Sequence, residues 1–218
     1  MTFSKDDLSE NDLSKYLKLG GDLEKCQPLS HKYYDTLTLF PEFSIFSDNI
    51  EKIMEELNNS QELWNNWCEI IKNPKKTDWE VIPIYGFGKF TQISEKFPFL
   101  KNLILNHKNI ELISFSKLGK KTMLDPHQGW ASTANVSVRS HLGLTVPEMC
   151  GLWVEGEIKM LEKGMWISFD DSKMHSAFNK SENIRIVLII DIKKPKFIKE
   201  GTSTVKNPEH MDIYIKDS

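Results

Sequence analysis

Between Val136 and Val146, apolar side chains fall at Val136, Val138, Leu142, Leu144 and Val146, with Ser140 the one exception. The interleaved positions are Ser137, Arg139, His141, Gly143 and Thr145. Successive side chains of a strand point to opposite faces, so this stretch as a strand puts Arg139 and His141 on one face and the aliphatics on the other. Residues 184–192 (Ile-Arg-Ile-Val-Leu-Ile-Ile-Asp-Ile) are apolar on both faces, as suits a strand inside a sandwich. Arg185 stands near its start, on the face shared with Val187 and Ile189. A cation there needs an anion or strong acceptors, because an unpaired buried charge is expensive. The chain therefore needs a β core with polar chemistry on one of its inner faces.

From Lys121 onward short strands and turns alternate at intervals of about 8–12 residues, the rhythm of an all-β sandwich or barrel. Strands are expected over 150–154, 160–162, 165–169 and 175–178, after a longer one over 110–118. Residues 79–85 also read as a strand, in which Pro83 predicts an edge or a bulge. Helical spacing marks 47–58, with Ile50, Ile53, Met54 and Leu57 on one face. It also marks 60–72, which carries Trp64 and Trp67, and 94–106. These helices are expected to buttress one face of the sheet. Residues 1–30 read as a peripheral arm and 199–218 as a polar tail. Between them lies one domain, 31–198, with its β core at about 109–195. A formal charge of −3 and a pI near 6.1 give no basic face for nucleic acid. Three cysteines at unrelated spacings argue against a disulfide framework and for a reducing compartment. No apolar run approaches the roughly 20 residues of a spanning helix, and no signal-peptide core stands at the N-terminus. The expectation is a soluble, cytoplasmic protein.

The polar residues of this region form an ordered set. His127-Gln-Gly129 is followed by Arg139-Ser-His141-Leu-Gly-Leu, then by Phe169-Asp-Asp-Ser, His175 and an arginine ten residues on. In order and spacing the set resembles the aspartyl/asparaginyl β-hydroxylase family, over roughly residues 79–195. The resemblance implies iron(II)- and 2-oxoglutarate-dependent oxygenases on a double-stranded β-helix, or jelly roll. It makes His127 and His175 the expected metal ligands. The usual carboxylate position, two residues after the first histidine, is Gly129, as the resemblance also implies. The resemblance further gives Arg185 the distal carboxylate of 2-oxoglutarate, helped by Ser116, and sets Arg139 and His141 toward the metal-proximal carboxylate. Hydroxylation of the β-carbon of an Asp- or Asn-type residue, a free amino acid or a lipid acyl chain are the reactions it suggests. One departure stands out: twelve residues separate His127 from Arg139, about three more than in the animal members, so the loop between them should differ in shape.

Other readings of the same residues remain at this point. Arg185 could pair with Asp170, Asp171 or Asp191 as a purely structural ion pair. Asp125 could orient the His127 ring through its carboxylate. Asp170 and Asp171, in a turn-forming run, could shape the approach to His175 through bonds to the backbone. For the whole chain, the rivals are a cupin-like module that binds a small anion without turnover and an interaction protein that docks through Trp64, Trp67 and Phe87.

Overall fold

The computed structural model describes residues 3–67 and 78–207. Among the described residues twelve strands are formed: β1 Tyr33–Tyr34, β2 Asn65–Asn66, β3 Trp79–Gly86, β4 Lys89–Phe90, β5 Ile110–Leu118, β6 Thr122–Met123, β7 Ser137–Thr145, β8 Cys150–Val154, β9 Glu157–Met160, β10 Trp166–Phe169, β11 His175–Asn179 and β12 Arg185–Lys193. The larger sheet runs β1-β10-β7-β12-β5-β3-β2, with β4 on β3, and the smaller runs β6-β11-β8-β9. From β5 to β12 the chain passes back and forth between the two sheets, which is the winding of a double-stranded β-helix.

Register turns the alternation in the sequence into a surface. Arg139 lies opposite Asp191 and His141 opposite Ile189, while Arg185 lies opposite Leu118 and Val187 opposite Ser116. Paired residues share a face, so Arg139, His141, Arg185 and Ser116 all belong to the face that looks at the smaller sheet. The other face carries Val138, Leu142, Leu144, Leu188 and Ile190, all buried in the main core beneath the helices. Each such side chain adds about 1.5–3 kcal/mol of transfer free energy, so this face anchors the sheet and leaves the opposite one free for polar work.

The helical layer is Ile50–Asn58 and Pro98–Leu105, with Ile53, Leu57 and Leu100 fully buried. The expected 94–106 helix is split: a 3-10 turn spans Gln92–Lys96 and the helix starts only at Pro98. Proline at the first helical position forces its predecessor out of the helical region, and Phe97 has φ −125 and ψ 56. The helix expected over 60–72 is not formed in its described part. A 3-10 turn spans Gln61–Leu63, then Asn65 and Asn66 pair with Val81 and Glu80 as an edge strand. Trp64 lies under the Lys117 ammonium, 4.5 Å from its ring centre, and Trp67 stacks on Trp130 at 5.7 Å. Sheet pairing and these two contacts outcompete a helical spacing that rested on the same tryptophans. Residues 68–72 of that expectation, and 208–218 of the tail, lie outside the described residues. In β3 the register shifts between Pro83 and Tyr85, the bulge expected of that proline.

The N-terminal residues are tied in: Tyr16 is 1% exposed, between Phe3 and Phe197, and Leu29 bonds to Phe197 and Lys199. Among the described residues Cys26 and Cys150 are free, and no helix is long and apolar enough to cross a membrane.

Candidate active site

His127 follows β6 and His175 opens β11, and the two residues extend the β6–β11 ladder as an antiparallel bridge. His127 N–H donates to His175 O at 2.9 Å and His175 N–H to His127 O at 2.8 Å. This fixes the ring centres 4.3 Å apart. Each ring donates its Nδ1–H to a carbonyl two residues earlier: Asp125 O at 2.7 Å and Lys173 O at 2.9 Å. A carbonyl only accepts, so both rings hold their proton on Nδ1 and keep the Nε2 lone pair. The orienting group for His127 is thus the Asp125 backbone, not its carboxylate. Burial holds the His175 imidazole well below its ordinary pKa, and the neighbouring His127 adds to this. It is neutral, as a metal ligand must be.

The acidic turn before His175 divides its labour. Asp170 Oδ1 accepts from the Ser172 backbone and hydroxyl and from Lys194, as a turn-shaping residue does. Asp171 instead points inward, 2% exposed, where Oδ1 accepts from Arg139 Nη1 at 2.9 Å and lies 3.3 Å from His175 Nε2. Its Oδ2 has no partner. A Cβ placed on Gly129 would stand 1.7 Å from that Oδ2, so the Asp171 carboxylate fills the space a side chain at 129 would need. Sequence reading missed this role, since a turn has no face periodicity to show which of two adjacent aspartates faces in. Among the described residues no group of three or more His, Cys, Asp or Glu side chains is arranged to hold an ion; the His127 and His175 Nε2 lone pairs are the donors this end of the site offers.

Arg139 grips Asp191 with two bonds, Nε to Oδ1 and Nη2 to Oδ2, both 2.7 Å. Its charge is therefore committed to Asp191 and Asp171. With both shared by one arginine, burial pushes these two carboxyls upward. Asp191 could have been found in the sequence, because it falls in the same period-two series as Arg185, Val187 and Ile189.

Arg185 has no such partner. It is 1% exposed, and its three candidate anions are engaged elsewhere: Asp170 with Lys194, Asp171 and Asp191 with Arg139. Its guanidinium donates to His141 Nδ1 at 3.4 Å, its Nε bonds to nothing, and burial pulls its pKa down to about 10. Because His141 accepts on Nδ1, its proton is on Nε2, which is buried and unpartnered. Ser116 accepts from Trp79 Nε1 at 3.0 Å and keeps its own proton to donate.

All six expected site residues, His127, His175, Ser116, Arg139, His141 and Arg185, line one cavity between the sheets, with about 360 Å³ of space between atoms. One end is two imidazole Nε2 lone pairs and the other an uncompensated guanidinium flanked by orphan donors. These fit an iron ion at the first end and a dicarboxylate reaching the second. A neighbouring cleft of about 670 Å³ shares His127 and Arg139 and is walled by Trp67, Trp79 and Trp130.

Residues 47–195 match the Aspartyl/Asparaginyl beta-hydroxylase family. A human aspartate beta-hydroxylase domain-containing protein 2 is 35% identical over 83 residues, 37% of this chain and 22% of that protein. The ornithine lipid ester-linked acyl 2-hydroxylase of Rhizobium tropici is 27% identical over 195 residues, 83% of this chain and 64% of that one. The chain thus spans about a fifth of the first relative's length and under two thirds of the second's. A crystal structure of a 2OG-Fe(II) oxygenase family oxidoreductase from Burkholderia pseudomallei is similar over 76% of this chain and 94% of its own, at 12% identity and a TM-score of 0.44. The match over 47–195 takes in the twin histidines, the Arg139–His141 pair and Arg185, and the chain belongs to the aspartyl/asparaginyl β-hydroxylase family.

Proposed function

We propose that the chain is an Fe(II)- and 2-oxoglutarate-dependent hydroxylase of an unactivated aliphatic carbon. The observation that carries this reading is the buried Arg185 guanidinium without a carboxylate partner, across one cavity from two imidazoles held with free Nε2 atoms. A fold keeps an uncompensated cation in its interior only if something anionic binds there. Arg185 and the Ser116 hydroxyl take the distal carboxylate of 2-oxoglutarate. The Nε2–H of His141 points its unused donor into the same cavity. His127 and His175 hold the iron, and Asp171 faces the position that Gly129 leaves open. Bound iron and 2-oxoglutarate together supply the oxygen chemistry, in which O₂ and the keto acid give succinate, CO₂ and a hydroxyl on the substrate carbon. Trp79, bonded to Ser116, lines both this cavity and the neighbouring cleft.

Two substrate types are compatible with this chemistry. The family's name points to the β-carbon of an Asp or Asn residue, and the Rhizobium tropici relative is named for the 2-position of an acyl chain. The test is anaerobic 2-oxoglutarate binding with and without Fe(II), for the wild type, His175→Ala and Arg185→Met. Binding that needs iron and is lost in both variants supports the hydroxylase. Binding that ignores the metal leaves a cupin-like anion module instead.

A further inference from the structure

The tryptophan-walled cleft beside His127 is completed by a stretch of chain that lies beyond the family match. Residues 201–207 run back across the loop between His127 and Arg139 and are laced to it. Gly201 N–H donates to Asn135 O at 2.8 Å, and the Asn135 side chain exchanges bonds with the Ser203 backbone at 2.8 and 3.0 Å. The Ser203 hydroxyl, 4% exposed, donates to Gly129 O at 2.5 Å and accepts from Val205 N–H at 3.2 Å. Ala131 N–H then donates to Val205 O at 2.8 Å. This clasp carries Val205 into the cleft wall, whose other aliphatic side chains are Val81, Leu112 and Ile189. The α-like turn Ala131–Ala134 and the long loop that holds it are what the clasp grips.

The chemistry of this wall selects against a charged guest. Arg139 is the cationic side chain among the described residues of the cleft, and it is already held by Asp171 and Asp191. A guest entering here meets three indoles and the aliphatic side chains of Val81, Leu112, Ile189 and Val205, with Ser114, His127, Gln128 and the ion-paired Arg139 as the polar part of the lining. The hydroxylation proposed above acts on an aliphatic C–H, which an alkyl chain supplies and an aromatic ring does not. We propose that the cleft is a subsite for an uncharged aliphatic chain, and that Val205, held by Ser203, sets how deep the chain enters. The proposal rests on the hydroxylase reading for the cleft's purpose, and its test reads alkyl binding and 2-oxoglutarate binding separately.

The probe is a series of N-methyl alkylamides from hexanoyl to tetradecanoyl, titrated against tryptophan fluorescence of the full chain loaded with Fe(II) and 2-oxoglutarate under argon. Each added methylene should tighten binding about fourfold until the cleft is filled, and then stop. Val205→Trp should end that rise at a shorter chain and weaken the longest probes at least tenfold. Val205→Ala should move the end point to a longer chain. Ser203→Ala should blur it, and Ser203→Thr should restore it. Iron-dependent 2-oxoglutarate binding should be unchanged in all four, which separates this claim from the hydroxylase reading. Affinity that does not depend on chain length, wild-type binding by Val205→Trp, or tighter binding of N-acetyl-aspartate amide or N-acetyl-phenylalanine amide would overturn the proposal. Alkyl binding that persists where no 2-oxoglutarate binds would leave the subsite standing and remove only the hydroxylase.

Discussion

Arg139 and Arg185 sit on neighbouring strands and face the same cavity, yet one is neutralised and the other is not. The difference predicts opposite effects of removing the charge. Arg185→Met deletes a buried cation that no carboxylate balances, so the metal-free, ligand-free chain should gain on the order of 1–3 kcal/mol in urea unfolding. Arg139→Met leaves Asp171 and Asp191 facing each other without a counter-ion and should lose about 3–5 kcal/mol. Adding Asp191→Asn to it should recover part of that loss. If both single variants destabilise to a similar degree, Arg185 has a structural partner and the anion site is misread. The contrast was half legible beforehand. A cation at Arg185 in an apolar strand was visible as something needing an anion. Which arginine kept its charge free depended on where Asp171 points, and Asp171 lies in a turn, outside any repeating face.

Strands with a period of two were legible because one buried face leaves a mark in the sequence. The β7 alternation put Arg139 and His141 on one face, whereas Ser116 rested on the family resemblance alone. Helices were less so, because their limits come from contacts the sequence does not show. Residues 60–72 have a helical stripe, but Trp64 and Trp67 use it to meet Lys117 and Trp130. The helix Pro98–Leu105, whose start Pro98 sets, has its first free N–H groups satisfied by a partner 43 residues away. The Glu56 carboxylate accepts from Phe99 N–H at 2.6 Å and from Leu100 N–H at 3.1 Å. It serves as a cap supplied by another helix, placed where the helix dipole also favours an anion. Glu56→Ala should cost about 1–2 kcal/mol, with Glu56→Gln retaining about half. The two helices back the main sheet from the face away from the cavity, so iron-dependent 2-oxoglutarate binding should not change. A loss of that binding at 15 °C, where the variant is still folded, would mean the helical layer shapes the site and does more than support it.

At the scale of the whole molecule, burying two neutral imidazoles between the sheets ties stability to pH. His141 and His175 are both held well below the ordinary 6.5, first by burial, then by Arg185 and Arg139 for His141 and by His127 for His175. Above about 6.5 neither state of the chain protonates them, and they contribute no slope. Below it the unfolded chain takes up a proton on each while the folded chain does not, so stability falls as pH falls. The limit is about 1.4 kcal/mol per pH unit per histidine, or roughly 2.7 for the pair. Asp171 and Asp191 act with the opposite sign: burial raises them from 3.8, so the folded chain binds their protons first and gains stability as the solution turns acid. Their influence is confined nearer the carboxylate range. Urea unfolding of the metal-free protein should therefore be flat from pH 8 to 7 and fall with growing slope as pH drops below about 6.5. His141→Gln should remove about half of the fall. Stability that holds or rises between pH 6.5 and 5.5 would mean the imidazoles are hydrated or paired with an anion. The same burial leaves His175 unprotonated at neutral pH, so acid sensitivity and readiness for a metal have one cause. Saturating Fe(II) should consequently steepen the fall, because protonation of the ligands then also releases the ion.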